Sequence, residues 1–64
     1  MNINGIKSQE WAGTLLSDYL DYHKIIEDRV VVEINGQIVK RSMYKLRKLI
    51  LEDVVEIVQF VGGG

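Results

Sequence analysis

The sequence predicts an α+β fold in which one main helix packs across an antiparallel or mixed sheet of short strands. Two Asn-Gly pairs sit between apolar arms and read as hairpin turns, one stretch carries apolar residues at helical spacing, and Val30–Val32 and Val54–Val58 are rich in β-branched residues. The 64 residues make one domain, 1–64, of a size that buries roughly 60% of the surface its unfolded chain exposes. Disulfides or a structural metal usually offset so thin a core, but the chain has no cysteine and a single histidine. Packing alone must hold it, and a hydrophobic fraction of 47% makes that feasible and argues against disorder.

Met1 and Ile3 can share one side of a first strand, Asn4-Gly5 is a type I′ turn signal, and Ile6 to Trp11 is expected to return beside it. Thr14 is placed as an N-cap. Leu15, Leu16, Tyr19, Leu20, Tyr22 and His23 then fall within an arc of about 160°, opposite Ser17, Asp18, Asp21 and Lys24. That is an amphipathic helix of about ten residues, too short to stand alone and therefore bound to cover a sheet. It is expected to fray near Lys24, with Ile25-Ile26 leading into a loop at Glu27-Asp28. Arg29 to Ile34 is the clearest strand, with Val30, Val32 and Ile34 on one face. Asn35-Gly36 turns it back into Gln37–Val39. Ser42 is expected to cap a brief helix to about Leu49, with Met43, Leu46, Leu49 and Ile50 inward. Glu52-Asp53 breaks that pattern as loop residues, and Val54–Val61 is the last strand before Gly62-Gly63-Gly64.

The net charge of −1 offers no global field toward nucleic acid or an anionic membrane. Charge is unevenly placed, however: six acids face three bases over residues 1–39, whereas Lys40, Arg41, Lys45, Arg47 and Lys48 crowd together. Such a block is either a solvated helix face or a docking patch for an acidic partner. No apolar stretch is long enough for a transmembrane helix. Asn2, Asn4 and Gly5 stand where a secretion signal would be basic and then apolar, so a cytoplasmic location is expected.

Little in the chain suggests catalysis by the chain itself. A lone His23 on the apolar side of a helix reads as a core-edge residue, because metal sites need three or four ligands. No histidine lies near Ser42 in sequence to activate it, and Glu52 and Asp53 read as adjacent loop acids. Gly5 and Gly36 are isolated turn glycines, not a phosphate-cradling loop. The glycine tail is different. Residues 62–64 are expected to stay flexible, and with no Cβ they can reach about 10 Å beyond the strand into a narrow channel on a partner. Without a reactive side chain, the group to be activated is the carboxylate of Gly64. Taken alone, the tail reads either as that carrier end or as a frayed or linker-derived terminus.

The segments "VVVEINGQIVKR" at Val30–Arg41, "EDVVEIV" at Glu52–Val58 and "VGGG" at Val61–Gly64, with "MNING" at the start and "TLLSDYL" at Thr14–Leu20, resemble the ThiS sulfur carriers of thiamine biosynthesis. The resemblance spans nearly the whole chain and implies a ubiquitin-like β-grasp fold. It also implies that a ThiF-like adenylating enzyme uses ATP and Mg²⁺ to activate Gly64. A cysteine-derived persulfide would then supply sulfur, and thiazole synthase would accept it from the resulting thiocarboxylate. The chain itself would be a protein cosubstrate, without a stably bound cofactor or metal. Gly63 matches the family's terminal pair with Gly64, and Gly62 is an additional glycine in the threading segment. Lys40 stands where many relatives have proline, and Glu52 where they usually have a turn glycine.

Val54, Val58 and Phe60 share one face of the last strand, and Val55 and Ile57 the other. Val58 and Phe60 are therefore either core residues or part of a docking patch beside the tail. Two other functions remain open at this point: a carrier like the small subunit of molybdopterin synthase, and a non-covalent ubiquitin-like interaction module.

Overall fold

A computed structural model describes residues 1–60. Five strands, β1 (Asn2–Ile3), β2 (Ile6–Lys7), β3 (Val30–Ile34), β4 (Gln37–Ile38) and β5 (Val54–Gln59), form one sheet in the order β2-β1-β5-β3-β4. β5 runs parallel to β1 and antiparallel to β3, and the outer pairs are antiparallel hairpins, so the sheet is mixed. Helix α1 (Leu16–Tyr22) covers one face.

Period-two burial sets the sheet's inner face. Val30, Val32 and Ile34 of β3, with Val55 and Ile57 of β5, join Ile3 and the helix residues Leu16 and Leu20 in one core. Leu16 and Leu20 are fully buried, which stabilises by about 2 kcal/mol each. Both Asn-Gly turns form as expected. Asn4 and Gly5 have φ of 51° and 82°, Asn35 and Gly36 of 55° and 84°, the paired positive values that a type I′ turn demands and asparagine and glycine tolerate.

Four expectations need correction. The return arm of the first hairpin is only Ile6–Lys7, because the chain turns where the Ala12 N–H donates to Gln9 O and the Thr14 N–H to Trp11 O. Thr14 does not cap α1. The N-cap is Leu15, without a side-chain bond, and the Leu16 and Ser17 N–H groups donate to Arg47 O (2.8 Å) and Tyr44 O (2.9 Å). A neighbouring turn thus satisfies the donors that helix starts leave open. The buried stripe of α1 is also narrower than the 160° arc: Tyr22 and His23 are exposed, while Tyr19 is half-buried. A sheet with three two-residue strands cannot cover more.

The expected helix from Ser42 to Leu49 is the fourth. Only Arg41–Met43 forms a 3₁₀ turn, and Tyr44 and Leu49 are buried while Met43, Leu46 and Ile50 are exposed. The carbonyls of Tyr44, Arg47 and Leu49 accept from Ser17, Leu16 and Gly13, so this segment spends its backbone acceptors on the start of α1. A helix reaching Leu49 would need the Tyr44 carbonyl for the Lys48 N–H and the Leu49 N–H for Lys45 O, but the first accepts from Ser17 and the second donates to Thr14 O at 2.8 Å.

Helix α1 ends in a Schellman arrangement. Lys24 takes φ 57°, its N–H donates to Asp21 O, and the Ile25 N–H reaches back to Leu20 O at 2.8 Å. Ile25 then packs against the core while Ile26 stays exposed. Among the described residues no helix is long and apolar enough to cross a membrane.

Candidate functional site

The central strand carries the chain toward the glycines. β5 is hydrogen-bonded on both sides, and beyond it the Phe60 N–H still donates to Arg29 O at 2.8 Å. The expectations placed on Gly62, Gly63 and Gly64 fall outside the described residues, as does Val61 at the end of the expected strand.

Two asparagines brace β5. Where β1 turns away, the Asn4 side chain takes over its ladder: Oδ1 accepts from the Ile57 N–H at 2.7 Å and Nδ2 donates to Ile57 O at 3.2 Å. At the other end, Asn35 Oδ1 accepts from the Val54 N–H at 2.9 Å and Nδ2 donates to Asp53 Oδ1 at 3.0 Å.

Asp53, expected as a loop acid, is fully buried. Its carboxylate also accepts from Arg47 Nη2 at 2.9 Å and from the Ile50 N–H at 2.9 Å. Burial alone would push its carboxyl up, but the Arg47, Ile50 and Asn35 donors outweigh it and hold the group below the usual carboxylate range. The Asp53 N–H donates to Ile50 O, closing the turn that contains Glu52. Glu52 does not have positive φ, so the turn has a geometry that needs no glycine there. Of the basic block, Arg47 thus serves the core, Arg41 pairs with Asp28 at 3.1 Å on the surface, and Lys40, Lys45 and Lys48 are exposed.

Strand β5 presents two different faces. Val55 and Ile57 are in the core, whereas Val54, Val58 and Phe60 are 48%, 58% and 54% exposed on the outer face. Val58 and Phe60 therefore stand outside the core, at the end of the described chain. Cross-strand register places Val31 opposite Val58, and Glu33 of β3 opposite both Glu56 of β5 and Ile38 of β4. The outer face thus holds apolar groups around two facing carboxylates.

His23 is exposed and belongs to an aromatic group on the helix side, with ring centroids 4.5 Å from Tyr19, 5.1 Å from Tyr22 and 5.3 Å from Trp11. Burial first, and then the charge of Glu10, push the Tyr19 hydroxyl above its ordinary range. Trp11 leaves the expected strand to build this cluster. No grouping of three or more metal-binding side chains occurs among the described residues.

Known proteins place this geometry. The crystal structure of a thiamine biosynthesis protein (ThiS) from Geobacter metallireducens matches with a TM-score of 0.68 at 26% identity, covering 98% of this chain and 96% of that one. The solution structure of a thiamine biosynthesis protein from Geobacter metallireducens gives 0.75 at 26% identity, covering 98% and 85%. The α+β sheet with its single main helix is thus a ubiquitin-like β-grasp fold. In sequence, the sulfur carrier protein ThiS of Bacillus subtilis is 36% identical over 66 residues, covering 100% of this chain and 98% of that one. The ThiS family model matches residues 2–64, glycines included. The chain belongs to the ThiS family.

Proposed function

We propose that this protein carries sulfur as a thiocarboxylate on Gly64 and donates it for thiazole formation in thiamine biosynthesis, in the cytoplasm. The observation that carries the proposal is the family match extending through the glycines to residue 64. A bare carboxylate is a poor acyl donor, so a ThiF-like adenylating enzyme must supply ATP and Mg²⁺. A Gly64 carboxylate oxygen attacks the α-phosphorus and displaces pyrophosphate, giving an acyl-adenylate. A persulfide on a partner cysteine then displaces AMP, and a thiol cleaves the resulting S–S bond to leave the thiocarboxylate. Thiazole synthase takes the sulfur from there. The chain's own contribution is a thin tail, Gly62 to Gly64, on an anchored strand, with no Cβ to obstruct a narrow channel. Val58 and Phe60 serve as part of the surface that the partner grips.

Incubation with the cognate adenylating enzyme, ATP, Mg²⁺ and a persulfide donor should replace a terminal OH by SH and raise the intact mass by about 16 Da. An unchanged mass, with the enzyme active on an established carrier, would refute the proposal.

A further inference from the structure

An asparagine followed by glycine carries the parts of a reaction in its own backbone. The glycine nitrogen can attack the side-chain amide carbon, and glycine, lacking Cβ, shields that nitrogen least. Asn4-Gly5 and Asn35-Gly36 are both such pairs, and both are exposed to water. The fold holds Asn35 out of the reactive geometry in two ways. The φ values of 55° at Asn35 and 84° at Gly36 mark a type I′ turn, in which ψ of the first residue is about +30°. That angle turns the Gly36 nitrogen away from Cβ about the Cα–C bond. The carboxamide is also fixed at both ends, because Oδ1 accepts from the Val54 N–H at 2.9 Å and Nδ2 donates to Asp53 Oδ1 at 3.0 Å. Ring closure requires the backbone to rotate and both bonds to break.

We propose that Asn35 is a site of spontaneous covalent modification, gated by its clamp to Asp53 and Val54, and that the product can no longer clamp the start of β5. When the clamp opens, the Gly36 nitrogen loses its proton and bonds to Asn35 Cγ. Nδ2 departs with a proton as ammonia, leaving a five-membered succinimide. Water then opens the ring at either carbonyl, giving aspartate or isoaspartate with no change of oxidation state. Neither product fits the clamp. Aspartate keeps an acceptor for the Val54 N–H but sets an oxygen where Nδ2 stood, 3.0 Å from the Asp53 carboxylate, with one Arg47 guanidinium to serve both. Isoaspartate adds a carbon to the backbone of a two-residue loop whose length fixes the pairing of Ile34 with Gln37. Asn4 is held separately, with both of its bonds to the backbone of Ile57, so it reports opening elsewhere in the same molecule.

The test holds the unaltered protein at mildly alkaline pH, folded or in unfolding urea, and follows a mass gain of about 1 Da, located by peptide mapping. Asn35 should gain it at least about tenfold faster in urea than in the folded chain. Asp53→Ala, kept folded without urea, should speed the reaction at Asn35 by about fivefold relative to Asn4, because only Asn35 has lost a partner. Asn35→Asp, which is the direct product, should unfold at lower urea than the unaltered chain. Its deficit should shrink at mildly acidic pH, where one of the paired carboxyls takes up a proton and donates to the other.

Equal rates in folded and unfolded chains would overturn the gate. Acceleration of Asn4 and Asn35 together in Asp53→Ala would overturn it too, by reducing protection to global unfolding. If Asp53→Ala does not fold, the urea comparison and Asn35→Asp decide between them. An Asn35→Asp chain as resistant to urea as the unaltered protein would overturn the loss of the clamp. None of these readouts depends on sulfur loading, so the carrier function is tested separately.

Discussion

Replacing Asp53 by alanine tests how β5 is held. The carboxylate accepts from Arg47, Asn35 and Ile50 at 2.9, 3.0 and 2.9 Å. Each of these bonds is to an ionised acceptor and contributes about 1.5 kcal/mol, a gross loss of roughly 4.5 kcal/mol. Not all of it will be felt. The Arg47 side chain is 30% exposed, and Asn35 and Ile50 lie at the surface, so their freed donors can recover water. A net cost of about 2 kcal/mol is expected, a large share of what a chain this small possesses. Urea unfolding followed by Trp11 fluorescence should show the midpoint falling by about 2 M, with an m-value near 1 kcal/mol/M.

Acidity supplies a second reading of the same variant. The folded carboxyl is held below its ordinary range, so on acidification the unfolded chain takes up the proton before the folded one does. The stability contributed by Asp53 is therefore complete above the unfolded pKa of about 3.9 and is lost as pH falls through the folded value. The gap between the two proteins should be widest near neutrality and close toward the acid limb. A cost under about 0.5 kcal/mol at pH 7, or a gap unchanged down to acid, would refute the account of Asp53 as a satisfied buried anion.

Phe60→Ser should cost less than about 1 kcal/mol of stability, because the ring is already half in water, yet raise KM in the loading reaction; collapse of the fold in a melting experiment would return Phe60 to the core. Lys24→Gly should stabilise by about 0.5 kcal/mol, measured by urea titration, because Lys24 holds φ 57° at the end of α1, a position glycine takes without Cβ strain. Asn4→Ala should cost about 2 kcal/mol and Asn4→Gly about half that. Both lose the two bonds to Ile57, but only alanine strains at φ 51°. Equal costs in urea would show that the turn conformation contributes nothing.

Local signals explain which parts of this fold were legible in the sequence. An Asn-Gly pair dictates its own backbone angles, and alternation along Val30–Ile34 states which side faces inward whatever the partner strand is. Both readings survive in the structure. The segment after β4 carries helical spacing at Met43, Leu46, Leu49 and Ile50, but its Tyr44 carbonyl and Leu49 N–H are claimed by Ser17 and Thr14, far away in sequence at the start of α1. Nothing within the segment records that competition. Asp53 was missed for the same reason: adjacent acids look like a solvated loop until Arg47 and Asn35 are brought around one of them. An acid followed by a β-branched strand, with arginine six residues earlier, was the available signal, and it is a weak one. At the site, the division of β5 into two faces was readable, but which face was core needed the register with β3.

The placement of β5 has a mechanical consequence for a carrier. A partner that draws a thin peptide into its active site pulls on whatever the peptide is attached to, and an edge strand or frayed helix would peel before the tail was seated. β5 resists because β1 and β3 bond it on opposite sides, Asn4 extends the first ladder to Ile57, and Asn35 with Asp53 clamps its start. Peeling it would break both ladders together and expose Val55 and Ile57, so the load is shared by the whole core rather than by one hydrogen bond at a time. The same centrality puts the exposed side chains of Val58 and Phe60 at the far end of β5, so a partner that held both that face and the tail would load a single strand. A carrier with its glycines on an edge strand would have to separate those two tasks. Weakening the Asn4 or Asp53 clamps should therefore impair loading beyond what the fraction of unfolded protein accounts for, and loading that merely tracked the folded fraction would count against this coupling.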